Sequence, residues 1–330
     1  MKKYATVLVT GGAGYIGRHV VKALMESGHF PVVLDNSLTG HSHTMPNNVR
    51  VNGRIEDSRL LSSLFTQYDF DAVIHLAAYP ESMEAQIDPI KYHQNNFCAT
   101  LVLIESMLNY GVRHFIFTSS AAVYGESIYT PMDENHRCQP KTRHGESKYF
   151  VEKVLQDCGL THGLNYIVLR HFSVAGYNSQ HTVGISGRRN ADIITSMIDV
   201  AAGLEPAFNI FGTDYETTDG TCIRDYVHVD DVADAYVAAL EKLVAGGGHN
   251  VYNIGTGKGY SVLQVLEAVE DVTSRSITAL PMARRSGDPA VLVADIFKIR
   301  SDLGWQAKYE TLEEIVRTSW DWHQKRGVPN

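Results

Sequence analysis

Positive charge is in short supply. The chain has 29 Lys and Arg against 37 Asp and Glu, a net charge of -8 and a pI near 6.0. That balance excludes a broad basic surface for nucleic acid or anionic membrane. Cysteine is scarce too: Cys98, Cys138, Cys158 and Cys222 lie far apart, with no CxxC pair. A disulfide framework is excluded, and free thiols in a reducing, cytoplasmic setting are expected. None of the 15 His falls at zinc-ligand spacing, so no metal site is expected. No apolar run reaches the length of a membrane span. The opening MKKYATVLVTGG sets two Lys before an apolar run, but the run is short and ends in Gly-Gly. It reads as a first β-strand rather than a targeting segment. Neither an internal repeat nor a low-complexity stretch stands out.

What is present is a regular alternation. With 330 residues, 44% hydrophobic and 20% charged, the chain has the make-up of one large or two ordinary globular domains. Strand-like runs at 6–10, 31–35, 71–77, 114–120 and 165–172 are separated by helical patterns, notably after residue 15, near 93–110 and near 145–159. Continuous apolar strands between helices predict an α/β fold: a Rossmann-type, doubly wound parallel sheet with helices on both faces. After about residue 175 the pattern turns polar and Gly-rich, with 178–190 reading as a loop or lid, and then mixes short helices and strands. This predicts residues 1–175 as a dinucleotide-binding domain and 176–330 as a smaller substrate-binding lobe, with some chain crossing between them. Asp230 and Asp231 are expected to cap the helix that follows.

The stretch TGGAGYIG sets Gly11, Gly14 and Gly17 three residues apart between a strand and a helix, with Gly12 as extra slack. Glycines there let the turn tighten and the backbone approach a pyrophosphate at a helix N-terminus. The second strand ends in Asp35, followed by Asn36. A carboxylate in that place accepts from ribose hydroxyls and repels a 2′-phosphate, so NAD rather than NADP is expected. Further along, Ser120 ends the strand FIFTSS, where open α/β sheets bind ligands, and Lys148 lies one helix downstream with position 144 one turn before it.

These pieces, with HLAA, FTSSAAVYG, RHF, DGTCIRDYVHVDDVADA, YNIGTGKGYSV and RRSGDPA, resemble the extended short-chain dehydrogenase/reductases, on their nucleotide-sugar epimerase side. The resemblance runs nearly end to end. It implies bound NAD contacted by Gly11, Gly14, Tyr15, Ile16, Gly17, Asp35, Asn36, Ile55, Leu76, Ala77, Asn95, Lys148 and Phe172. It implies Ser120, His144 and Lys148 at the catalytic positions. A UDP-sugar would lie against Ser120, Ser173, Phe211, Arg224, Tyr226, Arg285 and Asp288, with uracil and ribose around Phe208 to Phe211. The implied reaction oxidises C4 of the sugar by hydride transfer, turns the ketose and returns hydride to its other face. A homodimer through the helices near 93–110 and 145–159 is implied as well.

Four positions depart from the family pattern. His144 takes the place of a Tyr, Arg54 that of an Asp, Pro80 that of a Lys and Ser173 that of an Asn. Imidazole is shorter than a phenol, and its protonated form adds a positive charge beside Lys148. A neutral His144 and proton transfer slower by ~10²–10⁴-fold are expected, with Tyr124 or Tyr177 as substitutes only if the fold brings one close. The alternatives are a non-catalytic NAD or nucleotide-sugar binding protein, or another NAD-dependent conversion of a nucleotide sugar.

Overall fold

The computed structural model describes residues 4–36, 50–79, 88–178 and 192–326. Pro80 and nearly all of the 178–190 stretch read as a loop or lid lie outside them. The core is a seven-stranded parallel sheet. Its strands are β1 (Thr6–Thr10), β2 (Phe30–Asp35), β3 (Arg50–Asn52), β4 (Ala72–His75), β5 (His114–Ser120), β6 (Asn165–His171) and, from far along the chain, β10 (Asn250–Ile254). The order β10-β6-β5-β4-β1-β2-β3 reverses direction between β1 and β4. Strand ends splay at such a reversal and open a crevice at the carboxyl edge.

Alternate residues along the strands serve different faces. Val7, Val9 and Ile74 pack with Val20 and Leu24 of α1 (Tyr15–Glu26) and with Val232, Tyr236 and Leu240 of α7 (Val229–Val244). Leu8, Val73, Phe115 and Phe117 pack on the other face. There they meet α2 (Ser58–Gln67), α4 (Ala99–Asn109) and α5 (Arg143–His162). The short helix α3 (Pro89–His93) passes through a π-helical turn at Gln94–Cys98 into α4.

The smaller lobe gathers α6 (Ile193–Ala201), α8 (Val262–Thr273) and α10 (Leu312–Arg326) around a third apolar cluster. Its strand β9 (Ile223–His228) pairs with β7 (Ser173–Ala175), β11 (Gly259–Ser261) and β13 (Val291–Leu292). A second pair joins β8 (Phe208–Phe211) to β12 (Ala279–Met282), and α9 (Phe297–Leu303) follows β13. Residues 229–254 return to the large sheet: α7 packs on α1, and β10 extends the edge beside β6.

The acidic pair Asp230 and Asp231 lies within the first turn of α7 and does not cap it. The His228 side chain accepts from the Asp230 N–H at 3.1 Å and fills that role. Asp230 shares a 2.7 Å hydrogen bond with His19 Nδ1 of α1, and Asp231 accepts from the N–H groups of Lys308 and Tyr309 at 3.0 and 3.1 Å. Both carboxylates sit in the positive first turn of the helix, so their oxygens are free to tie neighbouring segments together.

Candidate active site

The Gly-rich turn lies at the strand-order reversal. Gly11 has φ of +72°, and a Cβ there would stand 2.5 Å from the Ala77 nitrogen. A Cβ on Gly17 would stand 2.2 Å from the Gly11 carbonyl oxygen, so α1 can seat closely on the turn only with glycine there. Asp35 Oδ2 accepts from the Ala13 N–H at 2.9 Å and ties the end of β2 to the turn. Around it opens a crevice lined by Gly11, Gly14, Asp35, Asn36, Ile55, Leu76, Ala77 and Asn95, with Gly53, Arg54 and Tyr79 beside them. Glycine backbone at a helix start, a carboxylate one strand over and an apolar wall of Ile55 and Leu76 fit a dinucleotide. Arg54, where the family pattern has an Asp, donates to the Glu56 carboxylate on the rim and so carries its own counter-ion. Tyr15 opens α1 and donates to the Gly176 carbonyl, linking the turn to the other lobe, while Ile16 is half-buried against the core.

One strand over from Leu76 and Ala77, the end of β5 meets the start of α5. Thr142 caps α5 by accepting from the Gly145 N–H at 3.2 Å. A Cβ on Gly145 would stand 2.3 Å from the Ala122 carbonyl oxygen, so α5 begins in close contact with the turn after Ser120. Ser120 Oγ accepts from the Ala122 N–H at 3.1 Å, and among the described residues its O–H has no acceptor. Lys148 is 4% exposed, donates to the Thr118 carbonyl at 2.8 Å and lies 4.9 Å from the Phe117 ring centroid. Burial brings its pKa down to about 8, with Glu152 pulling the other way. The fold therefore brings Ser120, His144 and Lys148 together.

His144 is half-buried on the same turn of α5. Burial, then the Lys148 charge, lower its pKa to about 3, so the ring is neutral at pH 7. Both candidate substitutes have their hydroxyls engaged elsewhere. Tyr124 donates to Asn253 Oδ1 at 2.6 Å and accepts from Arg170 at 3.0 Å, while Tyr177 pairs with Thr195 and stacks on Trp322. The phenol that meets His144 is Tyr92, with Oη 3.1 Å from Nδ1. Sequence reading missed it, although it stands three residues before Asn95 in KYHQNN.

In the smaller lobe a cavity of about 390 Å³ is lined by Phe208, Phe211, Cys222, Arg285 and Asp288, with Ile193 and Val262 behind them. The Arg285 guanidinium lies 4.0 Å from the Phe211 ring centroid. Arg224 donates to Asp288 and, at 2.7 Å, to the Pro289 carbonyl. Aromatic faces beside guanidinium groups suit a base and a diphosphate. Tyr226 is buried in the lobe's apolar core and Ser173 heads β7 opposite it, so neither lines this cavity. Phe172 packs with Tyr124, Leu292 and Ala294.

The chain belongs to the NAD dependent epimerase/dehydratase family, whose profile matches residues 7–255. It is 40% identical over 320 residues to a UDP-glucose 4-epimerase of Lacticaseibacillus casei, covering 97% of both chains. Among solved structures it resembles the Stenotrophomonas maltophila UDP-glucose 4-epimerase with bound NAD and formylated UDP-arabinopyranose (TM-score 0.92, 34% identity, 98% of both chains). A Bifidobacterium longum UDP-glucose 4-epimerase in complex with NAD+ and UDP is similar to the same degree (TM-score 0.92, 34% identity, 97% of this chain and 98% of that one).

Proposed function

We propose that this chain interconverts the C4 epimers of UDP-hexoses through a transient 4-keto sugar. The observation that carries the reading is the cluster of Ser120, His144 and Lys148 at the end of β5, one strand from the dinucleotide crevice. Gly11, Gly14, Gly17, Asp35, Asn36, Ile55, Leu76, Ala77 and Asn95 would hold NAD, and the bound cofactor supplies the hydride acceptor and then the donor. Protons fall to the chain's own side chains. Ser120 keeps an O–H to orient the C4 oxygen. Neutral His144 takes the proton from that oxygen and returns it. Lys148 places a buried positive charge where negative charge develops on oxygen. Arg285, Phe211 and the Arg224–Asp288 pair would hold UDP. These nucleotide contacts leave the sugar free to present either face.

One observation favours a second reading, a nucleotide-sugar binding protein without turnover: His144 strongly resists protonation. Incubating the protein and its His144→Tyr variant with UDP-glucose and UDP-galactose, and measuring NAD released on denaturation, separates the two. The proposal expects slow interconversion in the native chain, a gain of about 10²-fold in the variant and NAD in both. Released NAD with no turnover in either protein would favour the binding role.

The reading includes a cytoplasmic homodimer. Free thiols support the compartment, and exposed apolar side chains on α5 support the dimer. Phe150 is 47% exposed and meets Phe97 edge to face, and Leu160 is 80% exposed. Sedimentation at micromolar concentration tests it, with a single species of twice the chain mass expected.

A further inference from the structure

Two separately anchored elements present Tyr92 and His144 to each other. Tyr92 is 2% exposed on α3, whose N-terminus is capped by Asp88 accepting from the Lys91 N–H at 3.0 Å. One turn on, buried Asn96 accepts from the Tyr79 N–H at 2.7 Å and donates to the Tyr79 carbonyl at 3.0 Å. The segment that carries Tyr92 is thus tied to the wall of the dinucleotide crevice. His144 is held from the other side by the Thr142 cap and by the close seat of Gly145 on Ala122. Nδ1 faces the phenol, and Nε2, on the ring's far edge, has no hydrogen-bond partner among the described residues.

We propose that Tyr92 is the positioning residue for His144: its oxygen accepts from Nδ1–H and so keeps the lone pair on Nε2, ready for the sugar hydroxyl. This rests on reading His144 as the acid–base group. The hydrogen bond at one ring nitrogen decides which nitrogen carries the proton. Were the phenol to donate to Nδ1, Nε2 would hold a hydrogen and could not act as base. As hydride leaves C4, the O4–H bond breaks and its proton binds Nε2. The Nδ1–H···Oη bond then becomes charge-assisted and offsets part of the burial and of the repulsion from Lys148, the charged neighbour on the same helix. When hydride returns, the same proton goes back from Nε2 to O4, so no outside donor is needed.

Nitrogen-15 NMR of the labelled holoprotein at pH 7, with His144→Gln to assign the signals, reads the tautomer directly. The proposal expects Nδ1 protonated and Nε2 bare in the native chain, and a shift toward Nε2–H in Tyr92→Phe. In turnover, Tyr92→Phe lowers kcat by about 10- to 100-fold, the scale on which outer partners orient metal-bound imidazoles, with KM and bound NAD little changed. In a His144→Tyr background the same substitution changes kcat by less than about 3-fold, because the effect acts through the imidazole. A native Nε2–H tautomer, or equal losses in both backgrounds, overturns the inference. If the native chain turns over no UDP-sugar, the functional reading falls while the tautomer still decides the positioning.

Discussion

Lys148 and Thr118 hold each other across the junction of β5 and α5: the buried amine donates to the carbonyl at 2.8 Å, two residues before β5 ends. The contact fixes a positive charge over the Phe117 ring, among the rings of His75, His144 and His171 and near the Glu152 carboxylate. Buried charge of this kind costs stability and is retained where it acts on a ligand.

Replacing Lys148 with Met therefore separates stability from activity. Turnover should fall by about 10²–10³-fold, as for the loss of a group that stabilises developing charge. At pH 7 the variant should unfold about 1–3 kcal/mol later than the native protein, since the pKa of about 8 lies below the lysine's ordinary value. The unfolded chain binds the extra proton between about pH 8 and the ordinary value, so native stability rises with pH in that window. Urea unfolding at pH 7 and pH 10 should show the gap closing. A less stable variant at pH 7 would contradict this.

Acid should unfold the protein early. His75, His144 and His171 have pKa values lowered to about 3 and His228 to about 4, each chiefly by burial. For each, stability is complete above the ordinary histidine value and is lost as pH falls toward the folded value. Asp225 and Asp231, raised to about 6 by burial, act in the opposite sense. Glu134 and Asp192, also raised by burial, add to that opposite sense, so near pH 5 the histidines' excess is on the order of one proton, or about 1 kcal/mol per pH unit. Urea midpoints at pH 7 and pH 5 check the sign; an unchanged or higher midpoint at pH 5 counts against it.

The Arg170–Glu152 pair behind Lys148 should behave as a unit. Arg170 donates to both Glu152 oxygens, at 3.1 and 2.6 Å, and Ser119 donates to one of them at 2.5 Å. Arg170→Met strands a buried carboxylate and should cost about 3–5 kcal/mol. Adding Glu152→Met should recover most of that loss in a thermal or urea melt, and additive losses would contradict the coupling.

In the smaller lobe, Arg285→Ala removes the guanidinium stacked on Phe211. Calorimetry should find UDP binding weakened by about 10- to 100-fold, the loss of one charge-assisted contact and its stacking, with bound NAD unchanged. Equal UDP affinity would move the diphosphate elsewhere.

The sheet and the crevice were legible because their signals are local. Apolar strands alternate with helical spacing, the glycines mark a turn that admits no Cβ at Gly11, and Asp35 ends the second strand. The three-residue β3 is too short for a period to emerge. Resemblance, rather than any local pattern, pointed to Arg285 and Phe211. The partner of His144 was hidden because Tyr92 lies 52 residues away in sequence and meets it only through tertiary packing. Asp230 looked like a cap for the same reason in reverse: its composition signal was local, while its partner His19 sits on α1. Tyr226 alternates along β9 into the lobe's core, a facing that the motif alone does not reveal.

The most direct test follows hydrogen at C4. UDP-galactose carrying deuterium at that carbon is incubated with the holoprotein, and the UDP-glucose formed is read by NMR. Hydride held within one crevice and returned to the same sugar predicts deuterium retained at C4 of the product. Label exchanged into water, or no UDP-glucose from protein that has its NAD, would contradict the account.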